Sequence, residues 1–194
     1  SKFVGVENYQ ILLDDPIFWK VIENNFWYAL GTVPTSIALA IIMALWVNSK
    51  INCTSLLRLA FFTPTILPMI TVANIWLFFY SPNIGLFNQL LGMVGIVGPN
   101  WLGDPDIALS SLMVMTVWKE AGFFMIFYLA ALQTLSLDLF DAAKLEGASA
   151  WRIFRKITFP LLMPTTLFVL INAILNAFKL VDHLFILTKG GPNN

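Results

Sequence analysis

Residues 24–47 form an unbroken apolar run without a single Asp, Glu, Lys or Arg. Helical runs of about 20 apolar residues match the hydrocarbon thickness of a bilayer, and nothing else in the sequence narrows the choice of fold as much. A second charge-free run covers residues 59–80. A third, 107–135, is interrupted by Lys119 and Glu120, and a fourth, 161–187, by Lys179, Asp182 and His183. In lipid every backbone N–H and C=O must be satisfied within the protein, so only helices and closed barrels span. Barrel strands alternate in polarity over about 10 residues, whereas these runs are longer and continuously apolar. The expectation is an all-α, polytopic transmembrane helical bundle of about four spans, forming one transmembrane domain over residues 1–194. Composition agrees: 58% of residues are hydrophobic and 11% charged, and mean hydropathy is +0.78. Soluble domains carry about 25% charged residues.

Basic residues orient the spans, because short cytoplasmic loops are enriched in Lys and Arg. The connection near 48–58 has Lys50 and Arg58, and the segment 136–160 has Lys144, Arg152, Arg155 and Lys156. The connection 81–106 has only Asp104 and Asp106. Loops one and three are therefore expected in the cytoplasm and loop two outside. Both ends then lie outside, which is the expectation for a chain trimmed at each terminus. The N-terminal segment, with Tyr9, Phe18 and Trp19, suits the lipid headgroup layer. The formal net charge of +0 supplies no basic field for nucleic acid.

The third loop carries most of the mechanism. Ser136 is placed to cap a helix, with Asp138 in its first turn. Ala142, Ala143 and Leu145 continue that helix, and Gly147 is expected to end it in a left-handed conformation. A second short helix is expected from about Ser149, with Trp151, Ile153, Phe154 and Ile157, and Pro160 is expected to end it. Two short helices joined at a glycine would then project from the membrane. Asp141-Ala142-Ala143, three residues, Gly147, nine residues, Ile157, one residue, Phe159-Pro160 resembles the EAA motif of membrane subunits of binding-protein-dependent ABC importers. Asp141 stands where that motif has Glu, and Phe159 where it has Leu. Charge and hydrophobicity are kept at both places. Phe3-Val-Gly-Val-Glu-Asn-Tyr9, the set Arg58, Pro64, Pro68, Trp76, Gly85, Leu86 and Asn88, and Leu187-Thr-Lys-Gly-Gly-Pro192 are similar to segments of the carbohydrate-type, maltose-permease-like members. The resemblance covers nearly the whole chain and implies a six-span core, of which this chain would hold about four spans. It implies that Asp141, Ala142, Ala143, Gly147, Ile157 and Pro160 dock into a cleft of a separate nucleotide-binding ATPase subunit, which binds the ATP. It also implies a homologous second permease and an extracytoplasmic solute-binding protein as partners, with membrane lipid around the spans.

Polar residues inside spans are costly and tend to face a cavity or a partner. Asn172, Asn176, Lys179 and His183 are spaced to share one face of the fourth span, and Asp182 is spaced to pair with Lys179. Trp118, Lys119 and Glu120 lie near the middle of the third. The resemblance places the translocation path between these two spans. Trp118, Lys119, Glu120, Asn172, Asn176 and Lys179 are therefore the candidate path residues, offering hydrogen bonds and an aromatic face to a sugar. The bland alternative is structural ion pairing with a partner subunit. Pro34, Pro64 and Pro68 lie inside spans, where each removes a backbone donor and can kink its helix.

The sequence contains no Gly-x4-Gly-Lys-[Ser/Thr] phosphate loop, no His-Glu-x-x-His and no Gly-x-Ser-x-Gly. Cys53 is the only cysteine. No metal site, resident cofactor or enzymatic centre is expected, and energy must arrive through a partner. The rival reading is an ion- or proton-coupled carrier using Glu120, Lys179, Asp182 and His183 as a relay.

Overall fold

The computed structural model describes residues 5–49 and 54–179. The expectations for Lys50, Cys53, Asp182, His183 and the 187–192 segment lie outside these residues. Every regular element described is helical. A short helix, α1 (Glu7–Asp14), leads into α2 (Pro16–Asn48). Two shorter helices, α3 (Thr54–Ile66) and α4 (Met69–Phe79), are followed by α5 (Leu86–Met93). The long α6 (Pro105–Gln133) precedes α7 (Leu137–Leu145), α8 (Ala150–Ile153), a π turn at Phe154–Thr158, and α9 (Phe159–Phe178).

Three helical stretches are long and apolar enough to cross a membrane: Pro16–Asn48, Pro105–Gln133 and Ala150–Phe178. The pair Ser55–Ile66 and Met69–Phe79 makes a fourth if it is counted as one span, but its two arms meet at 102°. The continuous helix expected over 59–80 is thus corrected to a broken one. The break falls at Leu67-Pro68, where Pro68 has no N–H to continue the ladder. Pro34 has no comparable effect. It lies inside an uninterrupted α2, and the Thr35 hydroxyl beside it donates to the Gly31 carbonyl one turn back.

Two Asp-Pro pairs set where the long spans begin. Asp15 accepts from the Ile17 N–H at 2.8 Å, with Pro16 in the first helical turn. Asp104 accepts from the Asp106 N–H at 3.0 Å, with Pro105 likewise placed. Proline in the first turn gives up a donor that has no intrahelical partner anyway. These caps carry α2 back to Pro16, well ahead of its apolar run. At 33 residues the helix is about 50 Å long, more than the roughly 30 Å hydrocarbon layer.

Packing follows small residues. On α2, Thr32, Ser36, Ala40 and Ala44 repeat every four residues, and all are buried. On α9, Val169, Ala173 and Ala177 do the same. Small side chains let helix backbones approach where lipid supplies no hydrophobic drive between helices. The main interface joins α2 to α6, and α9 packs against both. Phe26, Trp27, Leu30, Ile42 and Trp46 of α2, and Leu167, Phe168, Ile171 and Leu175 of α9, stay exposed. Such apolar outer faces suit a lipid surround.

Candidate translocation path and coupling hairpin

The segment 136–147 folds as its residues imply. The Ser136 hydroxyl accepts from the Asp138 N–H at 3.3 Å and starts α7. Gly147 has φ +75°, in the left-handed region. The Ala148 N–H reaches the Ala143 carbonyl and the Gly147 N–H reaches that of Lys144, each at 3.0 Å. These two bonds form a Schellman cap, which closes the carbonyls left over at a helix end. Ser149 then caps α8 through the Arg152 N–H. Asp141 and Ala142 are exposed and Ala143 is buried. Asp141 pairs with Lys144 at 3.1 Å, both well exposed, a contact that contributes little in water.

The expectation that Pro160 ends the second helix is overturned. The chain runs from α8 through the π turn into α9, with Pro160 in the first turn of α9. The Phe159 N–H bonds the Phe154 carbonyl, five residues back. That wider turn accommodates a residue with no N–H, whose ring would otherwise strike the carbonyl of residue 156. The second arm of the hairpin is therefore the end of a span and not a free short helix. Trp151 stacks on Phe154 at 5.5 Å, and Phe154 meets Phe159 at 6.0 Å, bridging the π turn. Ile157 is half-buried and Pro160 exposed.

The candidate path residues divide into two groups. Consecutive helical residues point about 100° apart, so Trp118, Lys119 and Glu120 cannot share one direction. Trp118 meets Trp76 of α4 edge to face at 5.6 Å. The Lys119 ammonium donates to the Leu67 carbonyl at the α3–α4 break, at 2.7 Å. Glu120 turns the other way and is paired with the Asn176 side chain of α9. Beside it, the buried Tyr28 hydroxyl donates to Thr116 at 2.6 Å. Tyr28, Thr116, Glu120 and Asn176 thus form a polar node joining α2, α6 and α9. Among the described residues, Asn172 bonds locally, donating to the Phe168 carbonyl. Lys179 closes α9 and is exposed.

Sequence reasoning passed over Tyr28, Thr116, Gly122 and the Leu67 carbonyl. Two of these carried a spacing signal. Thr116 lies four residues before Glu120 and Gly122 three after Lys119, so each shares its partner's helix face. The described residues hold no group of three or more His, Cys, Asp or Glu placed to bind a metal ion.

Residues 36–192 match the family model of the binding-protein-dependent transport system inner membrane component. The chain belongs to this family. Its long apolar helices suit the inner-membrane placement that the family description gives. It is 32% identical over 192 residues to a probable ABC transporter permease protein of Pyrococcus horikoshii, covering 98% of this chain and 66% of that protein. It is 34% identical to the trehalose/maltose transport system permease protein of Thermococcus litoralis, covering 99% of this chain and 65% of that one. The chain thus spans slightly less than two thirds of these relatives. A crystal structure of a bacterial ABC transporter involved in import of the acidic polysaccharide alginate superposes with a TM-score of 0.89 at 23% identity. That match covers 98% of this chain and 68% of the other, and it shows a shared fold.

Proposed function

We propose that this permease moves a sugar or related polar solute across the cytoplasmic membrane by alternating access, driven by a separate ATPase. The solute is delivered by an extracytoplasmic binding protein, and a homologous second permease completes the pathway. The observation that carries this reading is the exposed hairpin α7–Gly147–α8. It bears the EAA-like residues, is closed by its own hydrogen bonds, and continues without interruption into α9. A rigid element of this kind transmits displacement into a membrane helix. Asp141, Ala142, Ala143, Gly147, Ile157 and Pro160 are the docking set. Of the candidate path residues, Glu120, Asn172, Asn176 and Lys179 are the solute-facing set, whereas Trp118 and Lys119 turn to the broken span. The carbohydrate class is supported by the trehalose/maltose relative.

The test is Gly147→Val in the complex reconstituted in proteoliposomes. A Cβ there finds no atom within 4 Å beyond its chain neighbours, so its cost comes mainly from the backbone angle. Left-handed backbone costs a non-glycine residue about 1–2 kcal/mol, and β-branching adds to it. ATP hydrolysis should persist while uptake of the binding protein's ligand is lost. Full uptake by this variant contradicts the assignment.

A further inference from the structure

One turn of α6 touches three points of the broken span. Trp118 lies against Trp76 in the α4 arm at 5.6 Å. Lys119 reaches the elbow, donating to the Leu67 carbonyl at 2.7 Å. Gly122 faces the α3 arm so closely that a Cβ at that position would run into the Phe61 carbonyl oxygen. An elbow of 102° inside an apolar stretch leaves carbonyls without helical partners, since Pro68 has no N–H to give and the ladder stops at Ile66. Broken backbone at membrane depth persists only where protein re-satisfies it. A lysine is suited to that duty, because a cation is favoured at the negative end of a helix and can bond its last carbonyls.

We propose that Trp118, Lys119 and Gly122 form a three-point clasp that fixes the α3–α4 elbow to α6, with Lys119 as its positioning residue. Lys119 acts by capping α3, and the proposed solute-facing duty rests on Glu120 and the α9 residues. Gly122 sets the depth at which α3 sits, which brings the Leu67 carbonyl within reach of the ammonium. Trp118 holds the α4 arm at its angle. The broken span and α6 therefore move as one body. This clasp is a property of the permease alone and does not depend on which solute is carried.

The test is a distance measurement across the elbow. Cys53→Ser removes the one thiol of these 194 residues, and any thiol elsewhere in the complex is replaced likewise. Leu59→Cys on α3 and Phe78→Cys on α4, both exposed, then carry spin labels in the full-length permease complex in nanodiscs. Pulsed electron resonance should give one narrow distance for the parent and for Lys119→Arg, which keeps a donor. Lys119→Met, of similar length but without a donor, should lose the single peak. An unchanged narrow peak in Lys119→Met overturns the clasp. If that variant does not assemble, Gly122→Ala decides, because it lifts α3 while leaving the lysine in place. A shifted or broadened distance supports the clasp, and a parental one overturns it. Failure here leaves the transport reading standing, because that reading is tested through Gly147 uptake.

Discussion

At Leu67–Pro68 the chain turns through 102°, and the carbonyl left over is taken by a lysine from a different helix. At Phe154–Pro160 the chain also meets a proline, yet it stays one helix, and a wider turn absorbs the missing donor with bonds of its own. The first interruption needs a neighbour and the second does not. An elbow held by α6 is tied into the bundle. A hairpin and π turn held by local bonds form a unit that can be displaced whole. That difference fits a permease in which one element receives force while another stays fixed to the helix beside it.

The largest effect should come from breaking the tied region. Gly122→Leu drives a side chain into the α3 backbone, and overpacking at such a site costs on the order of 3 kcal/mol. Thermal unfolding of the detergent-solubilised protein should fall sharply. A melting temperature equal to that of the parent would mean that α3 is free to move away from α6. Gly147→Asn should come next and be milder than Gly147→Val, because Asn tolerates left-handed backbone better. Its uptake should fall between those of the parent and the valine variant. If Asn and Val behave alike, the left-handed angle is not what the hairpin requires.

Tyr28→Phe removes the bond to Thr116 in the node shared by α2, α6 and α9. A buried hydrogen bond contributes about 1 kcal/mol net, with more lost if its partner stays unsatisfied. A modest drop in melting temperature is expected, and Thr116→Val on the same background should add little further. The smallest effect is predicted for Pro160→Ala. It restores an N–H and removes the ring, so the π turn can close to an ordinary α turn. Because Pro160 sits in the first turn of α9, stability should change by no more than about 1 kcal/mol, while amide protection over residues 154–160 rises. Unaltered protection there would show that Pro160 does not cause the wide turn.

The same contrast explains what the sequence made legible. Ser136, Gly147 and Ser149 act on their own neighbours through caps and a left-handed turn, so the hairpin could be read residue by residue. The apolar runs announced the spans, since lipid imposes length and composition directly. The elbow was legible only as a proline inside a run. Pro34 and Pro68 look alike in sequence, yet α2 runs straight through Pro34. What separates them is whether a carbonyl finds a donor across the bundle, and that donor lies 52 positions away. Trp118, Lys119 and Glu120 read as one polar group because they are adjacent. Helical geometry sends the first two to α4 and the elbow, and the third to Asn176. Pro160 was misread because a proline normally stops a helix, and the π turn that spares this one depends on an i to i−5 bond that no motif signals.

Contact with the ATPase is the most direct test of the coupling role proposed for the hairpin. On the Cys53→Ser background, Ala142→Cys places one thiol on the exposed face of α7. The full transporter can then be treated with a short thiol cross-linker, using single cysteines along the ATPase cleft. A permease–ATPase adduct is expected from Ala142→Cys, and none from a cysteine at Leu90 of α5, in the loop expected outside. An equal yield from both positions, or none from Ala142→Cys in a complex that assembles and hydrolyses ATP, would contradict that role.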